Sequence, residues 1–352
     1  MYRIAITLEQ QERIMQNFKP RWLLNAIVLL AMVVAPVAST QAADKTITLG
    51  WTSWSDAEFM IELVKQQIED NTSLTVNPKS SISGMQYSAT AAPGGGLLAT
   101  RGSHAGSKLS IGVQYKAVAN GDIDGMIMAW LPDTHKDYWN KVHADVIDLG
   151  PMYSGAIVGW AVPAYVSKAK IDSIADLKDK RIAKQLDGKI VGIDPDAGEM
   201  KESKKAMQDY GLEDLYTLTT GTDQSMTDAL AHAIHNLDPI VVTLWTPHWA
   251  NAKWDMRFLK DPKHEFGGPQ HVDVIVRKGF RQDYPQAAKF LSNLYIPIDK
   301  LQRAMYVAEQ TDEKTAVKRF VKDNPGLVAS WWIGTGAKIS GAAADADMAG
   351  DY

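Results

Sequence analysis

Eleven tryptophans against seven phenylalanines is an uncommon balance, and four of the tryptophans occupy similar places along the chain. Trp130 directly follows the apolar run 125–129 (GMIMA), and Trp245 directly follows 239–244 (PIVVTL). Trp51 and Trp54 lie between the run 46–50 (TITLG) and the helical pattern that comes next. Each run reads as a strand, so these rings stand at carboxyl ends of predicted strands, the edge of an open α/β sheet where ligands bind. A tryptophan that only packs sits more naturally mid-strand or on the apolar stripe of a helix. Several ring faces converging on one cleft suit a cation that cannot donate hydrogen bonds, a quaternary ammonium above all. Each ring then contributes about 0.5–2 kcal/mol once the site is desolvated. A primary amine would need carboxylate partners instead. The competing use of such rings is a platform for stacking sugars, which needs many polar side chains beside the rings, and these loops offer few. Trp139, Trp160, Trp249, Trp254, Trp331 and Trp332 lack the strand-end placement and read as packing or surface.

A second group of residues suits an anion. The loop Asp194-Pro195-Asp196-Ala197-Gly198-Glu199 follows a predicted strand and opens a helix. Free backbone N–H groups at such a start can hold a carboxylate; the plainer reading is a turn capped by its aspartates. His135 stands five residues after Trp130, in Pro132-Asp133-Thr134-His135, and could donate to the same carboxylate. A lone loop histidine is more often solvated, so spacing by itself leaves that choice open.

The elements that must position these residues follow from periodicity. Ser55-Asp56-Ala57-Glu58 fits a capping box, and Phe59, Met60, Leu63, Val64 and Ile68 continue at helical spacing. An apolar run at 157–162 ends at Pro163, and Ser173 to Asp176 opens another helix with a second capping box. Strands are expected at 189–193 and 272–276, and helices from Gly198 through Tyr210, over 223–235, and over most of Tyr284 to Val321. Strands alternating with helices imply an α/β fold with largely parallel sheets. Residues 77–110 break the rhythm. They are rich in Ser, Gly and Ala, contain Pro93-Gly94-Gly95-Gly96, and read as an exposed, flexible insertion. The Gly/Ala/Asp-rich end, 336–352, reads as a disordered tail.

Composition narrows the class. The 352 residues are 45% hydrophobic and 22% charged, an ordinary globular balance with room for about two domains. A net charge of −4 gives no basic footprint for nucleic acid. The absence of cysteine excludes disulfides, thiolate metal sites, cysteine nucleophiles and a lipid-modified N-terminal cysteine. Lys19 and Arg21, the apolar stretch 22–37 and the small residues ending at Ala43 read as a secretory signal peptide cleaved after Ala42 or Ala43, with Met15 an alternative start. The stretch is short for a membrane span, and Pro36 interrupts it. The expected mature protein is free in a periplasm.

Four segments together carry a resemblance: GWTSW before a helix, ANGDIDGMIMAWLPDTHKDYW, VGIDPDAGEM, and PIVVTLWTPHWANAKWDMRFLKDP. Over about residues 45–76 and 111–332 the chain resembles the glycine betaine/proline betaine substrate-binding proteins of ABC transporters. The resemblance implies two Rossmann-like α/β lobes joined by a two-strand hinge, with the ligand cleft between them. It puts 44–162 and 270–335 in the first lobe and 163–269 in the second. By motif position it implies a trimethylammonium cage of Trp54, Trp130 and Trp245, and a carboxylate site of His135 with the backbone amides of Gly198 and Glu199. Trp51 stands beside the cage as a residue that could replace or assist Trp54. Two departures from the family pattern stand out, the insertion and Glu199, where relatives often carry an apolar residue. An anionic side chain there would weaken carboxylate binding unless it points to solvent.

No nucleophile elbow, HExxH or phosphate loop is present, and His232 and His235 share a helix face without an evident third metal ligand. The expectation is a monomeric binding protein, not an enzyme, with no cofactor and no metal. Its partners would be a small quaternary-ammonium ligand, an ABC permease and, through that, the ATPase. Choline, carnitine or a sulfonium analogue as ligand, or a ligand-sensing role in a signalling system, are the alternatives.

Overall fold

The computed structural model describes residues 46–79 and 110–334. The expected signal peptide, most of the proposed insertion and the expected tail lie outside them. Residues 77–79 and Ser110, read from the sequence as part of the insertion, belong to regular structure: the strand β2 (Thr75–Lys79) and the N-cap of the helix α2 (Ile111–Asn120).

β1 (Thr46–Gly50) pairs parallel with β2 and with β3 (Gly125–Leu131). Between β1 and β2 runs α1 (Ser55–Asn71), whose predicted stripe of Phe59, Met60, Leu63, Val64 and Ile68 is fully buried. Each such side chain is worth roughly 1.5–3 kcal/mol relative to exposure. Phe59 meets Phe320 edge-on at 5.9 Å, which ties α1 to α11 (Glu313–Asp323). The helix α2 ends at Gly121, whose φ of +78° lets its amide return to Ala117 and Val118; the Asp122–Asp124 turn then leads into β3.

The helix α3 (Lys136–Val142) follows β3, and β4 (Val146–Pro163) comes next. At 18 residues β4 is long enough to serve two halves of the sheet. Val146–Ala156 pairs antiparallel with β9 (Gln270–Arg277), and Ile157–Ala161 pairs antiparallel with β7 (Val242–Thr246). Its last residues also pair with β8 (Met256–Phe258). β5 (Lys189–Val191) and β6 (Thr217–Thr219) extend the second half in parallel with β7. The strand order is β2-β1-β3-β9-β4-β7-β5-β6. The parallel pairs predicted from alternation are present, but β9 and β4 run antiparallel to their neighbours, so the sheet is mixed.

Around the second half lie a 3-10 turn at Ile174–Lys178, α4 (Lys180–Gln185), α5 (Gly198–Asp209), α6 (Asp223–Asn236) and α7 (Trp249–Lys253). The Ser173/Asp176 capping box is formed as expected, although it opens the 3-10 turn. The box at Ser55 is not formed. Ser55 is already the first helical residue, Trp54 is the N-cap, and Trp54 offers no side-chain acceptor. The C-terminal part is helical, from α8 (Phe280–Asp283) and α9 (Pro285–Asn293) through α10 (Ile298–Gln310) and α11 to α12 (Pro325–Ile333). Among the described residues no helix is long and apolar enough to cross a membrane.

Candidate ligand-binding site

A small cavity opens where the carboxyl ends of β3 and β7 meet the start of α5. Trp54, Trp130 and Trp245 all line it, with His135, Gly198 and Glu199. Trp51 does not; it is half-buried against the core beside β2, its amide bonded to Lys79 O. The strands reach further than their apolar runs suggested, so Trp130 and Trp245 are the penultimate residues of β3 and β7, not loop residues. That placement fixes both rings on a rigid frame. Trp245 stands opposite Val158 of β4 in the ladder, and Val158 shares the cavity wall. The three indoles are only 3–7% exposed, which gives the desolvation that makes ring faces attractive to a cation.

The chain turns after each strand through a cis peptide, Leu131–Pro132 and Thr246–Pro247. The first turn brings His135 back onto β3. Its amide donates to Trp130 O at 2.9 Å, and the Trp130 amide donates to its Nδ1 at 3.1 Å. A ring nitrogen that accepts from an amide carries no proton, so the hydrogen is on Nε2. The Tyr115 hydroxyl lies 3.3 Å from the same Nδ1. Burial, and then the charge of Lys201, lower the His135 pKa to about 3. The ring is therefore neutral at ordinary pH, and its Nε2–H is a buried donor without a protein partner. Tyr115 and Tyr138 hold it edge-on at 5.7 and 5.8 Å.

Facing His135 is the first turn of α5. Gly198 and Glu199 precede the first amide of that turn with an intrahelical partner, Met200 to Ala197 O. Their N–H groups and the positive end of the helix suit a negative group. Position 198 must be glycine for steric reasons. A Cβ there would lie 2.6 Å from Thr134 O and 3.0 Å from His135 Cδ2, so only a residue without a side chain allows the imidazole and the helix start to come so close.

Glu199 does not point to solvent. Its side chain is buried beside the backbone of Gly159 and Leu244, with Oε1 lacking a partner. Burial, reinforced by Glu202, pushes its carboxyl well above the ordinary value of 4.5. Burial thus favours the neutral form of Glu199, the form that presents no charge against an anion at the α5 amides. Glu202 follows the same logic and rises to about 8.

This has a consequence for stability. A carboxyl whose folded pKa is raised contributes nothing adverse below pH 4.5, where both states are protonated. The unfolded chain ionises first as pH rises, so stability is lost progressively until the folded pKa is passed. Glu199→Gln should therefore raise the melting temperature at pH 7–8, by about 2–4 °C per kcal/mol relieved, and leave it unchanged at pH 4. Calorimetric melts at the two pH values check this; equal shifts at both would show that the carboxyl is not protonated in the fold.

Sequence reasoning missed the residues behind the cavity. Asp56, fully buried in α1, accepts from Trp245 Nε1 at 3.2 Å and from the Tyr153 hydroxyl at 2.7 Å. Burial pushes its pKa up to about 6, against the pull of Tyr153. Spacing gave no signal for these partners, since 189 and 97 residues separate them. His232 and His235 are exposed on α6.

A mixed α/β sheet in two halves, with a buried aromatic and polar cavity between strand ends and a helix start, is the architecture of two-lobe solute-binding proteins. The chain belongs to the OpuAC family, the substrate binding domain of ABC-type glycine betaine transport systems, whose model matches residues 104–323. That is a transport family, not an enzyme family. Lactococcal OpuAC, solved closed and complexed with glycine betaine, is similar with 30% identity and a TM-score of 0.67, covering 82% of this chain and 100% of that one. The glycine/betaine/L-proline-binding protein ProX of Borrelia burgdorferi is similar at 27% identity and a TM-score of 0.68, covering 82% and 97%. The glycine betaine/carnitine transport binding protein GbuC of Listeria monocytogenes serotype 1/2a (strain 10403S) is 38% identical over 164 residues, or 46% of this chain. The match covers 54% of GbuC, so the chain spans about half the length of that curated relative.

Proposed function

We propose that this protein is the solute receptor of an ABC importer for glycine betaine or proline betaine. The reading is carried by one juxtaposition: three buried indoles on the same small cavity as a neutral imidazole N–H and the free amides of a helix start. A trimethylammonium group would take the ring faces of Trp54, Trp130 and Trp245. The carboxylate would take His135 Nε2–H and the amides of Gly198 and Glu199. As a transport receptor it would release the ligand unchanged.

The cavity walls come from both halves of the sheet. Trp54, Trp130 and His135 belong with β1 and β3, whereas Trp245 and the α5 amides belong with the half that contains β5, β6 and β7. We read residues 44–162 with 270–335 as one lobe and 163–269 as the other. A ligand that touches both favours the closed form, because only differential affinity shifts that equilibrium. The closed monomer would then dock on the permease, and through it on the ATPase. Export by the leader at residues 1–43 would place this cycle in the periplasm.

Isothermal titration calorimetry against glycine betaine, proline betaine, carnitine, choline and a sulfonium analogue tests the reading. The betaines should bind most tightly, because they alone fill the cage and the anion site at the spacing of one short linker. Choline binding as tightly as glycine betaine would remove the role of the anion site, and no heat from any member of the panel would overturn the function.

A further inference from the structure

The helix α1 starts without a cap of its own. Trp54 has no acceptor to offer, and the first amides of a helix have no partner within it. The Ser55 amide instead donates to Asp223 Oδ2 at 2.9 Å, a residue 168 positions away at the start of α6. The other oxygen of Asp223 accepts from His248 Nε2 at 2.9 Å. His248 Nδ1 in turn accepts the Ala250 amide at 3.0 Å, which fixes the proton on Nε2. In the opposite direction, Asp56 of α1 accepts the indole N–H of Trp245 through Oδ1 and the hydroxyl of Tyr153 through Oδ2. Each half of the molecule thus gives one carboxylate to the other and receives one. Both oxygens of both carboxylates are used, and Asp56, Asp223, His248, Tyr153 and Trp245 are all buried.

We propose that this reciprocal exchange is a clasp that holds the cleft shut, with Asp56 and Asp223 as positioning residues outside the ligand's own contacts. The proposal rests on the lobe-closure reading above. Tyr153 and His248 brace the two carboxylates within their own lobes; the bonds from Ser55 to Asp223 and from Trp245 to Asp56 join groups on opposite lobes, so opening the cleft returns these two to water. They therefore favour only the closed form, which is what a device that slows ligand release requires. The clasp also grips a wall of the cavity. Trp245 is held at its N–H by Asp56 and along its ring by the edge of His248, 4.6 Å away at 86°. Setting that ring against a ligand and closing the lobes become one event.

Ser55→Pro is the most selective test. It removes the N–H that Asp223 accepts from the opposite lobe and leaves the His248 bond in place, and the first helical position tolerates proline. Trp54, at φ −101° and ψ 146°, already has the backbone that a residue before proline needs. Asp223→Ala is the second variant and removes the acceptor instead. Stopped-flow tryptophan fluorescence with glycine betaine should show association within about threefold of wild type and dissociation faster by about tenfold to a hundredfold in both, as for loss of one charge-assisted hydrogen bond. Small-angle X-ray scattering should show that glycine betaine compacts wild type fully and both variants incompletely. Wild-type release rates and full compaction in Ser55→Pro would overturn the clasp while leaving lobe closure intact. Absence of compaction in wild type itself would overturn lobe closure, and the clasp with it.

Discussion

Alanine in place of Trp54, Trp130 or Trp245 should weaken glycine betaine binding by about five- to thirty-fold per ring, which corresponds to about 1–2 kcal/mol. Each truncation removes a ring face and admits water to the cation. Phe or Tyr at the same positions should keep much of the affinity, and Leu, apolar but without a π face, should not. That contrast separates cation–π attraction from mere apolar burial. The loss should be largest at Trp245, because alanine there also leaves the buried Asp56 carboxylate short of a donor. The ligand side offers the same comparison. tert-Butylacetate keeps the shape and carboxylate of glycine betaine but replaces the cationic nitrogen with carbon, and it should bind far more weakly in calorimetric titration. Comparable affinity for the two, or Leu variants that bind like Phe variants, would leave a generic apolar pocket in place of the cage.

The second large effect concerns the anion end. His135→Ala removes a buried neutral donor to a carboxylate, a contact worth roughly 1.5–3 kcal/mol. Glycine betaine affinity should fall by about tenfold to a hundredfold, while choline, which has no carboxylate, should change little. His135→Gln keeps an N–H donor of similar reach and should recover part of the loss. Equal losses for glycine betaine and choline would assign His135 to the fold, through its bonds to the Trp130 amide and Tyr115, in place of the ligand.

Much of this site was legible because its chemistry lies close to local signals. The buried stripe of α1 follows from helical periodicity, since the burial of Phe59 to Ile68 requires nothing beyond one face turned inward. The strand-end position of Trp130 and Trp245 follows from the apolar runs before them, although pairing with β9 and β4 carried the strands past those rings. The short strand-to-helix turn offered the amides of Gly198 and Glu199 as one of two readings, and spacing left His135 open; the family resemblance supplied both. Where local reading failed, the partner was distant. The capping box at Ser55 failed because a carboxylate 168 residues away reaches the amide that a local side chain would have capped. Trp51 was drawn in by nearness in sequence to Trp54, but it is half-buried against the core and does not line the cavity.

The sequence by itself determined which residue types could hold a methylated cation and a carboxylate, and which lie at the ends of elements, because periodicity and turn chemistry act over a few residues. Only the tertiary structure decided how those ends meet. It set β9 and β4 antiparallel, because strand direction depends on which runs become neighbours and not on their composition. It put the proton of His135 on Nε2, because the Trp130 amide occupies the other nitrogen. It favoured the neutral form of Glu199, because burial between α5 and the sheet costs an ionised carboxylate more than it costs a protonated one.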